Sequence, residues 1–91
     1  MTEQALRLDK WLWFTRLTKS RTLAQALCES RHIRLNGKVV ERSSTQVKPG
    51  QVLTIPLREG IRVVRVETLP ARRGPFVEAA RAYTELAAMP G

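Results

Sequence analysis

Residues 30–40, SRHIRLNGKVV, carry the strongest local fold signal in the chain. An alternating apolar–polar stretch leads into Asn36-Gly37, a dipeptide that favours a two-residue hairpin turn because both turn positions require positive φ. A hairpin this small buries little apolar surface, so its charge does not serve packing. Three cations surround the turn: Arg31, Arg34 and Lys38.

The segment before the hairpin predicts two short helices joined by Thr18-Lys19. The first lies in LDKWLWFTRL, with Asp9 as its N-cap or as an acid of its first turn. Its 3.6-residue spacing predicts a core stripe of Leu8, Trp11, Leu12 and Thr15. A second flank, formed by Asp9, Trp13 and Arg16, is expected to allow an ion pair beside the indole.

The second helix is predicted in LTKSRTLAQALCES, with the Ser20 hydroxyl as its N-cap. The apolar spacing predicts a buried stripe of Leu23, Ala24 and Leu27. The residues expected on its exposed face recur every fourth position: Arg21, Gln25 and Glu29.

Strands and a closing helix are predicted after the hairpin. Strands are expected over 52–55 and in IRVVRVETL, and Pro75 suits the first turn of a final helix. One face of that helix is expected to contain Phe76, Ala80, Tyr83 and Ala87. The predicted fold is α+β: a helix-turn-helix pair packed on a small antiparallel β-sheet, with a C-terminal helix.

The charge of the chain is unusual for its size. Ninety-one residues predict one small domain, with 16 cations against eight acids and a net charge of +8. Residues 7–48 contain ten of the cations and three of the acids, so nearly all of the excess lies on the helix pair and the hairpin. Twelve of the cations are Arg, whose planar guanidinium grips phosphate with two parallel hydrogen bonds.

The sequence gives little support for catalysis or metal binding. Cys28 and His32 stand four residues apart, a spacing that suits either a metal site or a thiolate–imidazole pair. A structural zinc site needs four ligands, so a half-buried thiol and a solvated imidazole are the favoured interpretation. With no phosphate-binding glycine loop either, we expect no enzyme, no metal and no cofactor.

The single cysteine excludes an internal disulfide and fits a reducing compartment. The first ten residues lack the apolar region of a signal peptide, and no run of the sequence approaches the roughly 18 apolar residues of a membrane span. These features predict a soluble cytoplasmic protein.

The location of the cations indicates a nucleic-acid surface rather than a solvating face. Lys19 and Arg21 flank Ser20 at a predicted helix N-terminus, where free N–H groups and the helix dipole attract anions. Arg34 and Lys38 stand on either side of a turn whose backbone N–H groups can themselves bind phosphate.

The same residues carry a resemblance to a known family. RLDKWLW, the Ser20-Arg21 pair, LNGKVV and PGQVLTI, over about residues 7–55, resemble the RNA-binding domain named after ribosomal protein S-four, the alpha-L motif. RRGPFVEAARAYTEL resembles the segment that follows this domain in ribosome-associated small heat-shock proteins of bacteria. The resemblance implies two helices on a small sheet, and a role on free large ribosomal subunits that hold peptidyl-tRNA, in recycling or quality control.

The resemblance also implies a set of RNA contacts and a division of the chain. An RNA-binding domain is expected over 7–68, with its core motif at 7–55, followed by a linker and a C-terminal helix over 69–91. The family usually has Gly with left-handed geometry at the position of Arg31, so either the helix ends differently here or the arginine accepts a strain of about 1 kcal/mol. The implied contacts are Arg7, Lys10, Lys19, Ser20, Arg21, Gln25, Arg34, Asn36, Gly37 and Lys38.

The resulting hypothesis is a non-catalytic, monomeric protein that binds structured RNA. The expected RNA is ribosomal RNA of the large ribosomal subunit, with tRNA as a further candidate, and no membrane partner is expected. Two alternatives remain. One is a helix-turn-helix DNA-binding regulator, and the other is a protein-interaction module that uses Trp13 and the apolar side of the last helix.

Overall fold

The structure is a computed structural model that describes residues 5–90. Its helices are α1 (Leu8–Phe14), α2 (Arg21–Glu29) and α3 (Phe76–Ala80). Its strands are β1 (Leu6–Arg7), β2 (Arg34–Leu35), β3 (Lys38–Val39), β4 (Gln46–Val47), β5 (Val52–Leu57), β6 (Gly60–Val66) and β7 (Tyr83–Pro90). The predicted α+β class, with a helix pair on an antiparallel sheet, is confirmed.

The strands form two antiparallel sheets. The larger sheet has the order β3-β2-β5-β6-β7, and β1 pairs with β4 in a separate two-stranded sheet. The first hairpin therefore lies at one edge of the large sheet, where β2 pairs with β5 on its other side. None of the helices within residues 5–90 is long and apolar enough to cross a lipid bilayer.

The predicted core stripe of α1 is confirmed. Leu8, Trp11, Leu12 and Thr15 are all buried. The indole Nε1 of Trp11 donates a hydrogen bond to the carbonyl oxygen of Thr68 at 3.0 Å, which satisfies the polar atom of the largest core side chain. Helix α1 thus lies against the far end of the large sheet as well as against α2.

The predicted buried stripe of α2 is wrong in part. Leu23 is 53% exposed, whereas Ala24 and Cys28 are fully buried. The inward face runs along Arg21, Ala24, Gln25 and Cys28, positions that share one side of a helix. Small side chains allow α2 to approach α1 closely, and Asp9 on α1 holds the two polar side chains inward.

The predicted C-terminal helix is much shorter than expected. Helix α3 ends at Ala80, Pro75 is its N-cap rather than part of its first turn, and Phe76 is 69% exposed. Residues 83–90 form β7, which pairs antiparallel with β6 from Gly60 to Val66, with one register shift between Val63 and Val64. The open edge of β6 supplies hydrogen-bond partners that sequence spacing alone does not reveal, so tertiary context overrides the helical pattern.

Candidate nucleic-acid interface

Asp9 is the centre of the candidate site, in the first turn of α1 rather than at its N-cap. Its carboxylate is fully buried. It accepts hydrogen bonds from Nε and Nη2 of Arg7 at 3.1 and 3.0 Å, and from the backbone N–H of Lys10 at 2.8 Å. Gln25 donates its Nε2 at 3.3 Å, and the Nε of Arg21 lies 3.5 Å away. Three of the predicted RNA-binding side chains therefore converge on one carboxylate.

These contacts keep Asp9 ionised. Burial alone would raise the pKa of Asp9, but hydrogen bonds from Arg7, Gln25 and the Lys10 N–H hold that pKa below its usual value. The hydrogen bond to Asp9 in turn raises the pKa of Arg7. One buried negative charge thus fixes two cations on the surface.

The two fixed guanidinium groups remain partly open to solvent. The side chains of Arg7 and Arg21 are 41% and 36% exposed. Arg7 donates its Nε and Nη2 to Asp9, and Arg21 approaches Asp9 with its Nε at 3.5 Å, so the remaining N–H groups of both can face an anion. Because their rotamers are already ordered, a phosphate would bind them with a smaller entropic cost than it would bind mobile side chains.

The start of α2 is capped as predicted. The Ser20 hydroxyl accepts from the N–H of Leu23 at 3.1 Å, and Ser20 has extended backbone geometry. Thr18 donates its hydroxyl to the carbonyl oxygen of Ser20 at 3.1 Å, which fixes the turn before the helix. Lys19 is exposed beside this terminus, where the helix dipole favours anions.

The Asn36-Gly37 turn has positive φ at both positions, 50° and 85°, as predicted for type I′. Asn36 also makes two hydrogen bonds to β5 that the sequence did not indicate. Its N–H donates to the carbonyl oxygen of Val52, and its Oδ1 accepts from the N–H of Val52, both at 2.8 Å. The side-chain oxygen of Asn36 is therefore engaged in holding the hairpin against β5.

The two cations beside the turn lie on opposite faces of the hairpin. Arg34 pairs with Val39, and Leu35 pairs with Lys38, so the alternation of a β-strand separates Arg34 from Lys38. Arg34 bends back toward the tip, where its Nη1 donates to the carbonyl oxygen of Gly37 at 3.3 Å. An RNA strand contacting both cations would have to pass over the tip of the turn.

Two arginines adopt left-handed backbone geometry. Arg31 has φ of 69°, so the left-handed alternative is the one it adopts, and its Nη2 lies 3.2 Å from Glu41 Oε2 in an exposed ion pair. Arg16 has φ of 63°, which the sequence did not indicate, and its Nε donates to the carbonyl oxygen of Gly74 at 2.6 Å. Each position accepts backbone strain that a glycine would avoid.

In place of the ion pair expected between Asp9 and Arg16, Trp13 has a cation–π contact with Arg73. Asp9 faces inward rather than toward Arg16, and the cation beside the indole is Arg73. The Arg73 guanidinium lies 5.7 Å from the centre of the Trp13 ring, and its Nε donates to the backbone oxygen of Trp13 at 3.0 Å. Sequence spacing within one helix could not identify a partner 60 residues away.

Cys28 and His32 do not form a reactive pair. Cys28 is fully buried rather than half-buried, and burial raises the pKa of its thiol to about 12, so the thiol is protonated at neutral pH. His32 is exposed at the end of the turn after α2. Among residues 5–90, no group of three or more His, Cys, Asp or Glu side chains is arranged to hold a metal ion.

The sequence predicted Asp9 as an N-cap or as an acid of the first turn, and the structure has it in the first turn. Its further part as the organiser of the site was not predicted, although Asp9 adjoins the apolar stripe of α1 between Arg7 and Lys10. A carboxylate beside a core stripe, flanked by cations, was the available signal. Its partners on α2 could be found only once the two helices were packed.

Comparisons with known proteins agree with this architecture. The sequence model of the S4 domain matches residues 6–53. Heat shock protein 15 of Escherichia coli is 39% identical over 88 residues, covering 90% of this chain. This chain spans only 61% of the length of that relative.

This chain covers a larger share of two further relatives. The RQC P-site tRNA stabilizing factor of Bacillus subtilis is 40% identical over 81 residues, which cover 89% of this chain and 92% of that protein. A structure described as trimeric Vibrio cholerae Heat Shock Protein 15 superposes with a TM-score of 0.84 at 31% identity, covering 92% of this chain and 84% of the other. The match extends through the helix pair, the hairpin and the start of β5, and it confirms the resemblance carried by RLDKWLW and LNGKVV: the chain belongs to the S4 domain family.

Proposed function

We propose that this chain is a non-catalytic RNA-binding protein that docks on structured ribosomal RNA. The observation that carries the proposal is the fixed pair of half-exposed guanidinium groups around Asp9, beside the N-terminus of α2. Backbone N–H groups and ordered arginines together recognise phosphates without reading a base sequence. Structured RNA suits a protein that reads shape and phosphate positions.

The proposed contact residues are the ten implied by the family resemblance. Arg7, Arg21 and Lys19 bind phosphates. Gln25 donates a hydrogen bond to the Asp9 oxygen that Arg21 approaches. On the hairpin, Asn36 and Gly37 act by setting the turn. The remaining contacts are Lys10, Ser20, Arg34 and Lys38. The proposed RNA-binding unit is 7–68, with 69–91 packing on it.

The names of the relatives support a ribosomal setting. One is called a heat shock protein, and another is called a P-site tRNA stabilizing factor, which implies a tRNA on a ribosome. We therefore propose free large subunits carrying peptidyl-tRNA as the target, in stress-linked recycling or quality control in the cytoplasm. The protein is proposed to be a monomer, and sedimentation of the purified protein tests this against the trimer described for the Vibrio relative.

A DNA-reading helix-turn-helix is less well supported. Recognition helices present several unengaged side chains to the base edges of the major groove. Here α2 has nine residues, about 14 Å of helix, and Asp9 holds Arg21 and Gln25 on its inward side. The protein-interaction alternative loses Trp13 as a free anchor, because Arg73 lies over its ring.

The proposal is tested by fractionating lysate on a sucrose gradient and blotting for the protein. We expect the protein to sediment with free large subunits, and Arg21→Ala to move it toward the top of the gradient. Arg65→Ala is the matched control, since it removes an equal charge from β6, where Arg65 forms an ion pair with Glu67 just beyond the strand. A protein that stays at the top of the gradient in every case, or that prefers duplex DNA to ribosomal RNA in a gel shift, contradicts the proposal.

A further inference from the structure

The second half of the chain has an excess of positive charge that is confined to one segment. Residues 49–91 contain six cations and four acids. Two of the cations are neutralised within the sheet, Arg62 by Glu85 at 2.7 Å and Arg65 by Glu67 at 2.8 Å. Arg58 is followed directly by Glu59. The excess therefore lies in the connector, which we define as residues 70–81 between β6 and β7.

The connector is fastened to the end of α1. Arg16 donates to the carbonyl oxygen of Gly74, and Arg73 donates to the backbone oxygen of Trp13 while its guanidinium covers the Trp13 ring. Trp13 follows Lys10 by three residues on α1, so the two share a side of the helix. The connector is thus fastened to the C-terminal end of the helix whose first turn contains Asp9.

The connector also exposes an aromatic ring. Phe76 is 69% exposed, although it begins α3 and stands only three residues before the buried Ala79. Arg72 is 70% exposed, and its ion pair with Glu78, at 3.7 Å, is of the surface kind that contributes little. At most about 14 Å of chain separates Arg72 from Phe76. An exposed ring near an exposed arginine that is held only by a weak surface ion pair combines the stacking and phosphate contacts by which proteins bind single-stranded nucleic acid.

We infer that the connector is a second RNA contact, which takes an unpaired nucleotide with its base stacked on Phe76 and an adjoining phosphate on Arg72. This inference rests on the proposed function, because it extends the same RNA-binding surface beyond the residues that the S4 domain matches. Arg73 acts as a brace that fixes the connector on Trp13. Arg81 adds positive charge on the other side of α3.

The neighbour of Phe76 separates stacking from ordinary apolar contact. Val77 is 67% exposed, nearly the same as Phe76, but its side chain has no ring. A protein partner held by apolar contact would bury both side chains, whereas a stacked base needs only the ring. Val77→Ala is therefore the matched control for Phe76→Ala, and Phe76→Trp should retain the stack.

The probes are two RNAs, a blunt-ended stem-loop and the same stem-loop with a six-adenosine single-stranded 3′ tail. We expect the parent protein to bind the tailed RNA roughly fivefold or more tightly. Phe76→Ala should abolish that preference while leaving affinity for the blunt RNA unchanged, and Val77→Ala and Phe76→Trp should keep it. Melting curves should be unchanged, since the ring is exposed.

A salt titration on the tailed RNA tests the phosphate contact. Arg72→Gln should lower the slope of log K against log salt by about 1, whereas Arg65→Gln should leave it unchanged. If the parent binds both RNAs equally, or if Phe76→Ala and Val77→Ala weaken binding alike, the stacking contact is refuted while the proposed function stands. If the parent binds neither RNA, both proposals fall.

Discussion

The Nε of Arg21 lies 3.5 Å from the Oδ2 of Asp9, so the start of α2 is tied to the start of α1 through a buried carboxylate. Within residues 5–90, this Nε is buried and makes no hydrogen bond. The sequence placed Arg21 on an exposed face, opposite a buried Leu23, whereas Leu23 is exposed and Arg21 is partly buried against Asp9. Arg21 is therefore a part of the helix–helix contact as well as a proposed phosphate ligand.

Replacing Arg21 by Ala should weaken RNA binding by about 1–3 kcal/mol, because it removes a charge-assisted contact from a helix terminus. The melting temperature should fall slightly, since Asp9 loses one cation but keeps Arg7 and Gln25. Gel shifts and thermal melts measure the two effects. Arg65→Ala, which leaves the site intact, should change neither by a comparable amount. A strong loss of stability with unchanged affinity would assign Arg21 to the fold alone.

Stability should depend on Asp9 in acid. The pKa of Asp9 is lowered in the folded protein, so its contribution is fully present above the unfolded value near 4 and is lost as pH falls through the folded value. The free energy of unfolding of the parent should therefore decline below about pH 4. Denaturant titrations at a series of pH values measure this decline.

Asp9→Asn provides the comparison for that titration. It should be destabilised at neutral pH by about 1–3 kcal/mol, because the half-buried cations lose their partner, and its decline in acid should be shallower. Glu67 and Glu85 also have lowered pKa values, from hydrogen bonds with Thr84 and Arg65 and with Arg62 respectively, so some decline should persist. Equal acid slopes for the parent and Asp9→Asn would show that Asp9 does not control the acid response.

Local patterns predicted those parts of the fold that depend on one element at a time. The stripe of α1, the Ser20 cap and the Asn36-Gly37 turn each follow from spacing or from backbone preference, and the structure has all three. The predicted buried stripe of α2 was wrong in part because Asp9, on another helix, holds the polar side chains of Arg21 and Gln25 inward. The predicted length of the final helix was wrong because β6 offers an open edge to residues 83–90.

The candidate site was predictable in its cations but not in its organisation. Charge density along the chain indicated Lys19 and Arg21, and the family resemblance implied Arg7, yet the carboxylate that orders Arg7 and Arg21 lies among core residues. The same limit applies to the connector, whose place beside Trp13 depends on hydrogen bonds spanning about 60 residues. Long-range polar contacts leave no periodic signal in a sequence.

Binding should weaken steeply with salt. If about five to seven phosphates are neutralised, log K should fall with log salt at a slope of roughly −4 to −6. Filter binding of ribosomal RNA measures this slope when the salt concentration is raised about sixfold, from roughly 50 to 300 mM. Lys38→Gln should reduce the slope by about 1 and leave the melting curve unchanged. A slope near zero would remove the basis for any nucleic-acid function.

Gly37→Val should reduce RNA affinity without removing any charge. Gly37 has φ of 85° and open space where a Cβ would lie, so the cost, about 1–3 kcal/mol, comes from the backbone rather than from a clash. Asn36 holds the turn to Val52 on β5, and Arg34 donates to the carbonyl oxygen of Gly37. A distorted turn should therefore displace Arg34 from the tip. Gly50→Val is the matched control, with φ of 93° and equally open space in a turn outside the proposed site. Both variants should melt earlier by similar amounts, and only Gly37→Val should bind RNA more weakly at every salt concentration. Equal affinity in the two variants would mean that the hairpin is not part of the site.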